Sequence, residues 1–378
     1  MSNCTELDYA DKLVKSAIYA PEHYATVITL ACALTHKIDD VDSAPRVIAL
    51  GLPGSGKSTM LRVAYRLAAN CMEPTAVLAM SAPSYIAEFR MNPRCTPNLD
   101  EINQLFGEAG QNGKHSKFYS YLNQGHLRET GVAKFQENKV PLKVPIFGVA
   151  FMAGRGLGCP EDTRDRAVIL AMAKAPENVQ VADFSLKETK DTFTYGGNML
   201  KSWAQRSGKL NVSACRGLHP KLNHRTMDVW GPLIAVAMEA DGGEPGEWTE
   251  KALTAFDRIE LNSGVPVYAP EDQLLVDYVA FCDTRNASEG VPSGDFAQYA
   301  TEQPHGAYAA YRPGQFKQFA VKILGPTTPY YDSTQAKMVR GWSDVVHKMN
   351  LDHARSRKEE LEASKADAPG DEFTWEDF

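Results

Sequence analysis

The chain has 378 residues, 43% of them hydrophobic and 23% charged, with 28 glycines, 22 prolines and a net charge of -7. That is the composition of a globular chain of two or three domains, and it excludes collagen-like, mucin-like and wholly disordered proteins. No apolar run reaches the ~18 residues of a membrane helix, and the amino end MSNCTELDYADKLVK has no apolar stretch before a small-residue cleavage site, so a cytoplasmic protein with no membrane contact is expected.

Residues 1–45 read as an N-terminal helical segment, with Pro21 opening the dense apolar run PEHYATVITLACALTHKI. RVIAL, residues 46–50, is short, branched and apolar, as a buried parallel strand should be, and it runs straight into GLPGSGKST. Leu61, Ala64, Leu67 and Ala68 then fall at helical spacing. Further on come a strand at TAVLAM (75–80), a helix through SYIAEF, a Gly-rich insert at 107–115 and a helix over 116–128. VPIFGVAFMA (144–153) and RAVILAMAKA (166–175) read as two more strands, flanking a loop and short helix that contain EDTRDR. Strands alternating with helices over 46–175 predict an α/β core with a parallel sheet. Residues 176–265 turn helical, 266–350 read as a small helix-rich unit with a hairpin near GPTTPYYD, and 351–378 as a charged helix fading into an acidic disordered tail. The tail holds nine acids and four bases, which leaves only -2 for the other 350 residues. The seven cysteines are scattered, with no C-x-x-C pair or zinc spacing, and read as buried thiols.

GLPGSGKST satisfies G-x-x-x-x-G-K-[ST] and lies between a strand and a helix, where that pattern has a mechanism. Gly51, Gly54 and Gly56, with Pro53 and Ser55 between them, let the backbone wrap phosphate oxygens and aim N–H groups at them. Lys57 supplies charge to the outer phosphates, the Ser58 hydroxyl is a ligand for Mg²⁺, and Thr59 completes the loop. The ligand expected is ATP with Mg²⁺. The bland alternative is a glycine turn with a solvated lysine. Asp100 and Glu101 follow 43 residues after Lys57. Adjacent carboxylates at a strand end can divide labour, Asp100 holding the metal ion through water and Glu101 polarising the attacking water. Pro97 and Asn98 stand where such a strand would prefer apolar residues, and an acidic helix start is the alternative.

With these motifs the chain resembles an AAA+ P-loop ATPase, and more narrowly a helicase-like family of uncharacterised function in actinobacteria, their phages and mobile elements, often found behind primase-polymerase domains. The resemblance spans roughly residues 15–350 and rests on PEHYATVITLACALTHKID, GLPGSGKST, LDEINQLFG, YLNQGHLRETG, TRDRAVIL and HRTMDVWGPLIAVA in that order. It implies an AAA+ α/β core and a helical lid over 176–265, while FAQYATEQ and PGQFKQFAVKILG resemble the successive helices of a winged-helix-like domain over 266–350. It also implies that Arg166, with Arg164 in reserve, is an arginine finger reaching a neighbouring subunit's γ-phosphate. Pairing of both with Asp162 and Asp165 is the alternative. Arg225 resembles a sensor arginine that reports on nucleotide in its own subunit, and Arg155 of FMAGRG stands where the first sensor would be.

Between the carboxylates and FMAGRG, TGVAKFQENKVPLKVPIF predicts a β-hairpin; it resembles the hairpin that lines the central pore of hexameric helicases, which implies that Lys134, Lys139 and Lys143 track the phosphates of single-stranded DNA, and a solvated edge guarded by lysines is the alternative. The function expected is an ATP-driven replicative helicase or translocase working as a homo-oligomeric ring, a hexamer. A helicase loader or protein-remodelling ATPase, a defence or regulatory switch, and a non-enzymatic nucleotide-binding scaffold are the alternatives. The tail GDEFTWEDF, with Phe373, Trp375 and Phe378 among acids, is expected to dock a replication protein, with a solubilising end or docking onto its own ring as the alternatives.

Overall fold

RVIALG forms strand β1 (Arg46–Gly51), buried at all six positions, as a branched apolar run suits a strand covered on both faces. The computed structural model describes all residues except 1–3, 52–53, 103–115, 138–139, 155–160, 173, 176–178, 223, 262–269, 286–289, 303–312, 333–336 and 367–378. Strands are numbered in chain order. β2 (Thr75–Ala76), β3 (Asn98–Asp100), β6 (Ala150–Gly154) and β7 (Ala167–Met172) join β1 in one sheet of order β2-β3-β6-β1-β7. Every pairing in it is parallel, with Arg46 level with both Ala150 and Ala167, and Leu99 level with Met152. The architecture is mixed α/β with a five-stranded parallel sheet, compatible with a Rossmann-like fold.

Parallel strands need crossovers, and helices supply them. α1 (Thr5–Ala17) and α2 (Glu22–His36) precede β1, α3 (Lys57–Leu67) follows it, and α4 (Ala82–Met91) and α5 (Ser116–Gln124) lie on either side of β3 in the chain. The single turn α6 (Glu161–Arg164) leads into β7. After the sheet come α7 (Lys187–Arg206), α8 (His224–Ala240) and α9 (Glu247–Phe256). α2 is buried continuously from Ala25 to Thr35, as a helix that is apolar all round must be. It packs against α1, α3, α7, α8 and α9, so the N-terminal helices, the sheet and the later helices share one core. The chain divides once, into units 1–265 and 266–378.

Two predicted strands differ from what forms. In TAVLAM only Thr75–Ala76 pair, and Val77–Ala79 turn into a 3₁₀ helix that buries Val77. VPIFGVAFMA is two strands. Its first part belongs to β5 (Val140–Pro145), paired antiparallel with β4 (Val132–Glu137), and its last part is β6. Pro145, which has no N–H to donate, ends the hairpin, and a connector through Gly148 enters the sheet.

In the second unit α10 (Pro270–Arg285), β8 (Gly290–Pro292), α11 (Ser293–Glu302), α12 (Pro313–Leu324), β9 (Thr328–Asp332), β10 (Lys337–Ser343) and α13 (Asp344–Ala366) follow in order. The strands make an antiparallel sheet of order β8-β10-β9. Tyr278 packs edge-on against Phe296 and Trp342, with ring centroids 5.2 and 5.8 Å away. The charged helix expected after residue 350 forms as part of α13. α13 runs on to Ala366 because Arg355 pairs with Asp283 at 2.9 Å and Arg357 with Asp272 at 2.9 Å, lacing it to α10. Phe373, Trp375 and Phe378 lie outside the described residues. Among the described residues no helix is long and apolar enough to cross a membrane, and the six described cysteines are free thiols.

Candidate functional site

β1 ends at Gly51, where a side chain would collide with the Met172 carbonyl and the Ser55 hydroxyl, so the turn out of the strand closes only without a Cβ. Gly54 and Gly56 have φ of 81° and 85°, the left-handed region that glycine enters at no steric cost. Those two residues turn the chain so that α3 starts at Lys57. That helix start has no side-chain cap and no acid in its first turn. Its leading N–H groups and the positive end of its dipole are therefore presented to whatever anion occupies the loop. Lys57 Nζ donates to Ser55 Oγ at 3.3 Å. Pro53 lies outside the described residues, and Thr59 is half-buried on the first turn of α3.

The carboxylates arrive at the same edge. β3 lies one strand away from β1, with β6 between them, and since all run parallel, Asp100 and Glu101 emerge level with the end of β1. Ser58 Oγ donates to Asp100 Oδ2 at 3.0 Å, and the Glu101 N–H donates to Asp100 Oδ1 at 2.8 Å, so both carboxylate oxygens are held. Glu101 itself has φ of 59°, a left-handed conformation that costs a non-glycine residue about 1 kcal/mol or more and clusters at functional sites. Ser58 and Asp100 bring two hard oxygens together, the donor type Mg²⁺ selects. Among the described residues no group of three or more His, Cys, Asp or Glu could hold a metal, so a cation here would take its other oxygens from substrate and water.

Asn98, the residue that breaks the apolar pattern before the carboxylates, is completely buried. Its amide nitrogen donates to the Leu61 carbonyl of α3 at 3.0 Å and to the Met72 carbonyl at 3.1 Å. It therefore ties the glycine-loop helix to the carboxylate strand. The sequence signal was there, as an irregularity without an assigned purpose.

The arginines lie at the other edge. Ala167 pairs with Arg46 at the start of the strands, so Arg166 precedes a six-residue strand whose far end, Met172, is level with Gly51. At ~3.3 Å per residue that separates Arg166 from its own glycine loop by roughly 20 Å. Arg164 is half-buried on the same turn. Asp165 pairs with Arg225 at 3.3 Å. Arg225, expected as a sensor of nucleotide in its own subunit, is exposed and forms this ion pair beside Arg166. Arg155 lies outside the described residues.

Behind this edge Arg46 is buried, donating to the carbonyls of Gly148 and Leu122, the latter at 2.7 Å. Desolvation lowers its pKa to about 10, so it keeps its charge at neutral pH. His126, also buried, is pushed down to about 4, first by desolvation and then by the charge of Arg46, and is neutral. Its Nδ1 is 2.9 Å from the Ala44 carbonyl. Arg128 donates to the Val41 and Ile38 carbonyls and lies 4.5 Å over the Phe147 ring. The segment YLNQGHLRETG therefore clamps the chain entering β1.

On the hairpin, Lys134 and Lys143 are exposed and directly opposite each other in the β4–β5 register. Like charges facing across a strand pair destabilise it unless a counter-charge joins them. Lys139 lies outside the described residues. Comparison of the sequence with protein-family models and with curated proteins gives no match to either.

Proposed function

We propose that the chain is an ATP-hydrolysing AAA+ P-loop motor that works as a homo-oligomeric ring, a hexamer, and translocates single-stranded DNA as a helicase. The observation that carries this is the Ser58–Asp100 hydrogen bond, which joins an uncapped, glycine-turned helix start to a carboxylate strand two places away in a parallel sheet. β1 is also where the sheet order reverses, with β2 and β3 on one side and β7 on the other, and ligands of open α/β sheets bind outside the strand ends at such a point.

In this reading the loop N–H groups and Lys57 bind the phosphates of ATP and Ser58 and Asp100 would hold Mg²⁺, which supplies charge neutralisation between the outer phosphates. Glu101 accepts a proton from the attacking water. Arg166, too far from its own loop, stabilises the transferring phosphoryl group in the next subunit. The facing lysines 134 and 143 place positive charge where a nucleic-acid phosphate would relieve their repulsion. A winged-helix-like second unit fits the helix and strand order of residues 270–343.

Lys57→Ala is expected to lose nucleotide affinity, while Glu101→Gln keeps it and loses hydrolysis by ~10² or more. Unchanged turnover in Glu101→Gln removes that residue from the mechanism. Single-stranded DNA is expected to stimulate hydrolysis, and changing Lys134 and Lys143 to Ala should lower the salt slope of binding by about 1.4 if both reach phosphates. Hydrolysis indifferent to DNA turns the reading to a helicase loader or protein-remodelling ATPase, in which the same site serves a protein substrate.

A further inference from the structure

The turn that carries Arg166 has little to hold it by itself. α6 is one helical turn, and an isolated turn is unstable because nucleation is unfavourable. What fixes it is Thr163. This residue is completely buried, yet its hydroxyl faces polar partners, with Oγ1 2.9 Å from Asn123 Oδ1 and 3.3 Å from Tyr119 Oη. Those partners sit four residues apart on one face of α5. The Thr163 carbonyl accepts the Arg166 N–H at 3.2 Å, and the Arg166 carbonyl accepts the Arg46 N–H at 3.0 Å. Arg166 is therefore held by its backbone between a clamped turn and strand β1, while its side chain remains half-buried. A threonine whose only task was to fill space would be served equally by valine. Among buried polar groups, a paired hydroxyl instead selects one orientation.

We propose that Thr163 is a positioning residue for Arg166, its hydroxyl clamped by Asn123 and Tyr119 so that the guanidinium projects from the arginine edge at the angle a neighbouring subunit requires. The inference rests on the reading of Arg166 as a residue that acts in trans. It assigns to α5 the task of setting that angle, and it puts the defect of a Thr163 variant in the neighbour's active site rather than in its own.

The test uses the full chain as Thr163→Val, which keeps the shape and removes the hydroxyl, and Thr163→Ser, which keeps the hydroxyl. Hydrolysis, affinity for a fluorescent ATP analogue and melting temperature are measured for each, alone and after mixing with Lys57→Ala subunits. Thr163→Val is expected to bind the analogue as the parent does and to lose roughly tenfold to a hundredfold in kcat, the scale of a misplaced catalytic group. Thr163→Ser should recover most of that loss. Mixing with Lys57→Ala subunits, whose own sites are dead but whose Arg166 is intact, should restore hydrolysis to Thr163→Val. Parental kcat in Thr163→Val overturns the proposal, and so does a loss that mixing does not repair or that is accompanied by lost analogue binding. Arg166→Ala run in parallel separates the two levels. If it hydrolyses normally, the trans arginine itself fails; if it is inactive while Thr163→Val is normal, only the positioning role fails.

Discussion

The two edges of the parallel sheet are built on different principles. The edge that receives Gly51, Lys57, Ser58, Asp100 and Glu101 is open: its helix start is uncapped, Ser58 and Glu101 are exposed, and Glu101 is held in a left-handed conformation. The edge that carries Arg166 is tied down from behind, by buried Arg46, His126 and Thr163, bonded to backbone carbonyls or, for Thr163, to half-buried side chains of α5. On the proposed function the open edge admits a substrate and the tied edge presents one side chain to another subunit, and the roughly 20 Å between the edges keeps Arg166 away from its own chain's glycine loop.

The difference can be broken or sharpened from either side. The largest effect belongs to the open edge, where the loss of ~10² in turnover for Glu101→Gln should come without any loss of melting temperature, since an exposed carboxylate contributes little to folding. Next is acid sensitivity at the filled edge. His126 has its folded pKa about 4, below the ordinary value of 6.5, so between those pH values the unfolded chain binds more protons than the folded one. The stability it contributes is complete above pH 6.5 and is lost as the pH falls toward 4, by a few kcal/mol at most. Urea melts of His126→Asn and of the parent over that range should show the variant with the shallower pH dependence; equal slopes would place the acid sensitivity elsewhere. The smallest effect is again at the open edge. Glu101→Gly should raise stability by no more than about 1 kcal/mol, relief of the left-handed backbone being partly offset by the freedom of glycine in the unfolded chain. A destabilised Glu101→Gly would mean that its conformation carries no strain.

The open edge was legible in the sequence because its backbone demands particular residues. Positive φ at Gly54 and Gly56 and the crowding at Gly51 leave few alternatives, so composition and position coincide. The filled edge was not legible, because its residues acquire meaning only from distant partners. Arg46 lies in a strand read as buried and apolar, and what satisfies its charge is not visible until Leu122 and Gly148 are placed over it. Thr163 looks like a surface residue in TRDR until α5 is placed against it, and Asn98 looks like a defect until Leu61 and Met72 are brought to its amide. For Arg225 the family resemblance implies a role toward nucleotide, and the structure adds its ion pair with Asp165. One boundary failed for a local reason: Pro145 split one apolar run into two strands.

That the two edges meet between subunits is tested most directly by mixing Arg166→Ala chains with Lys57→Ala chains and measuring ATP hydrolysis against the mixing ratio. Each variant alone is expected to be inactive, and hydrolysis should appear in the mixture and peak near equal proportions, because an intact loop then faces an intact arginine. Hydrolysis by Arg166→Ala alone at the parental rate, or a mixture as inactive as its components, would contradict a site shared between subunits.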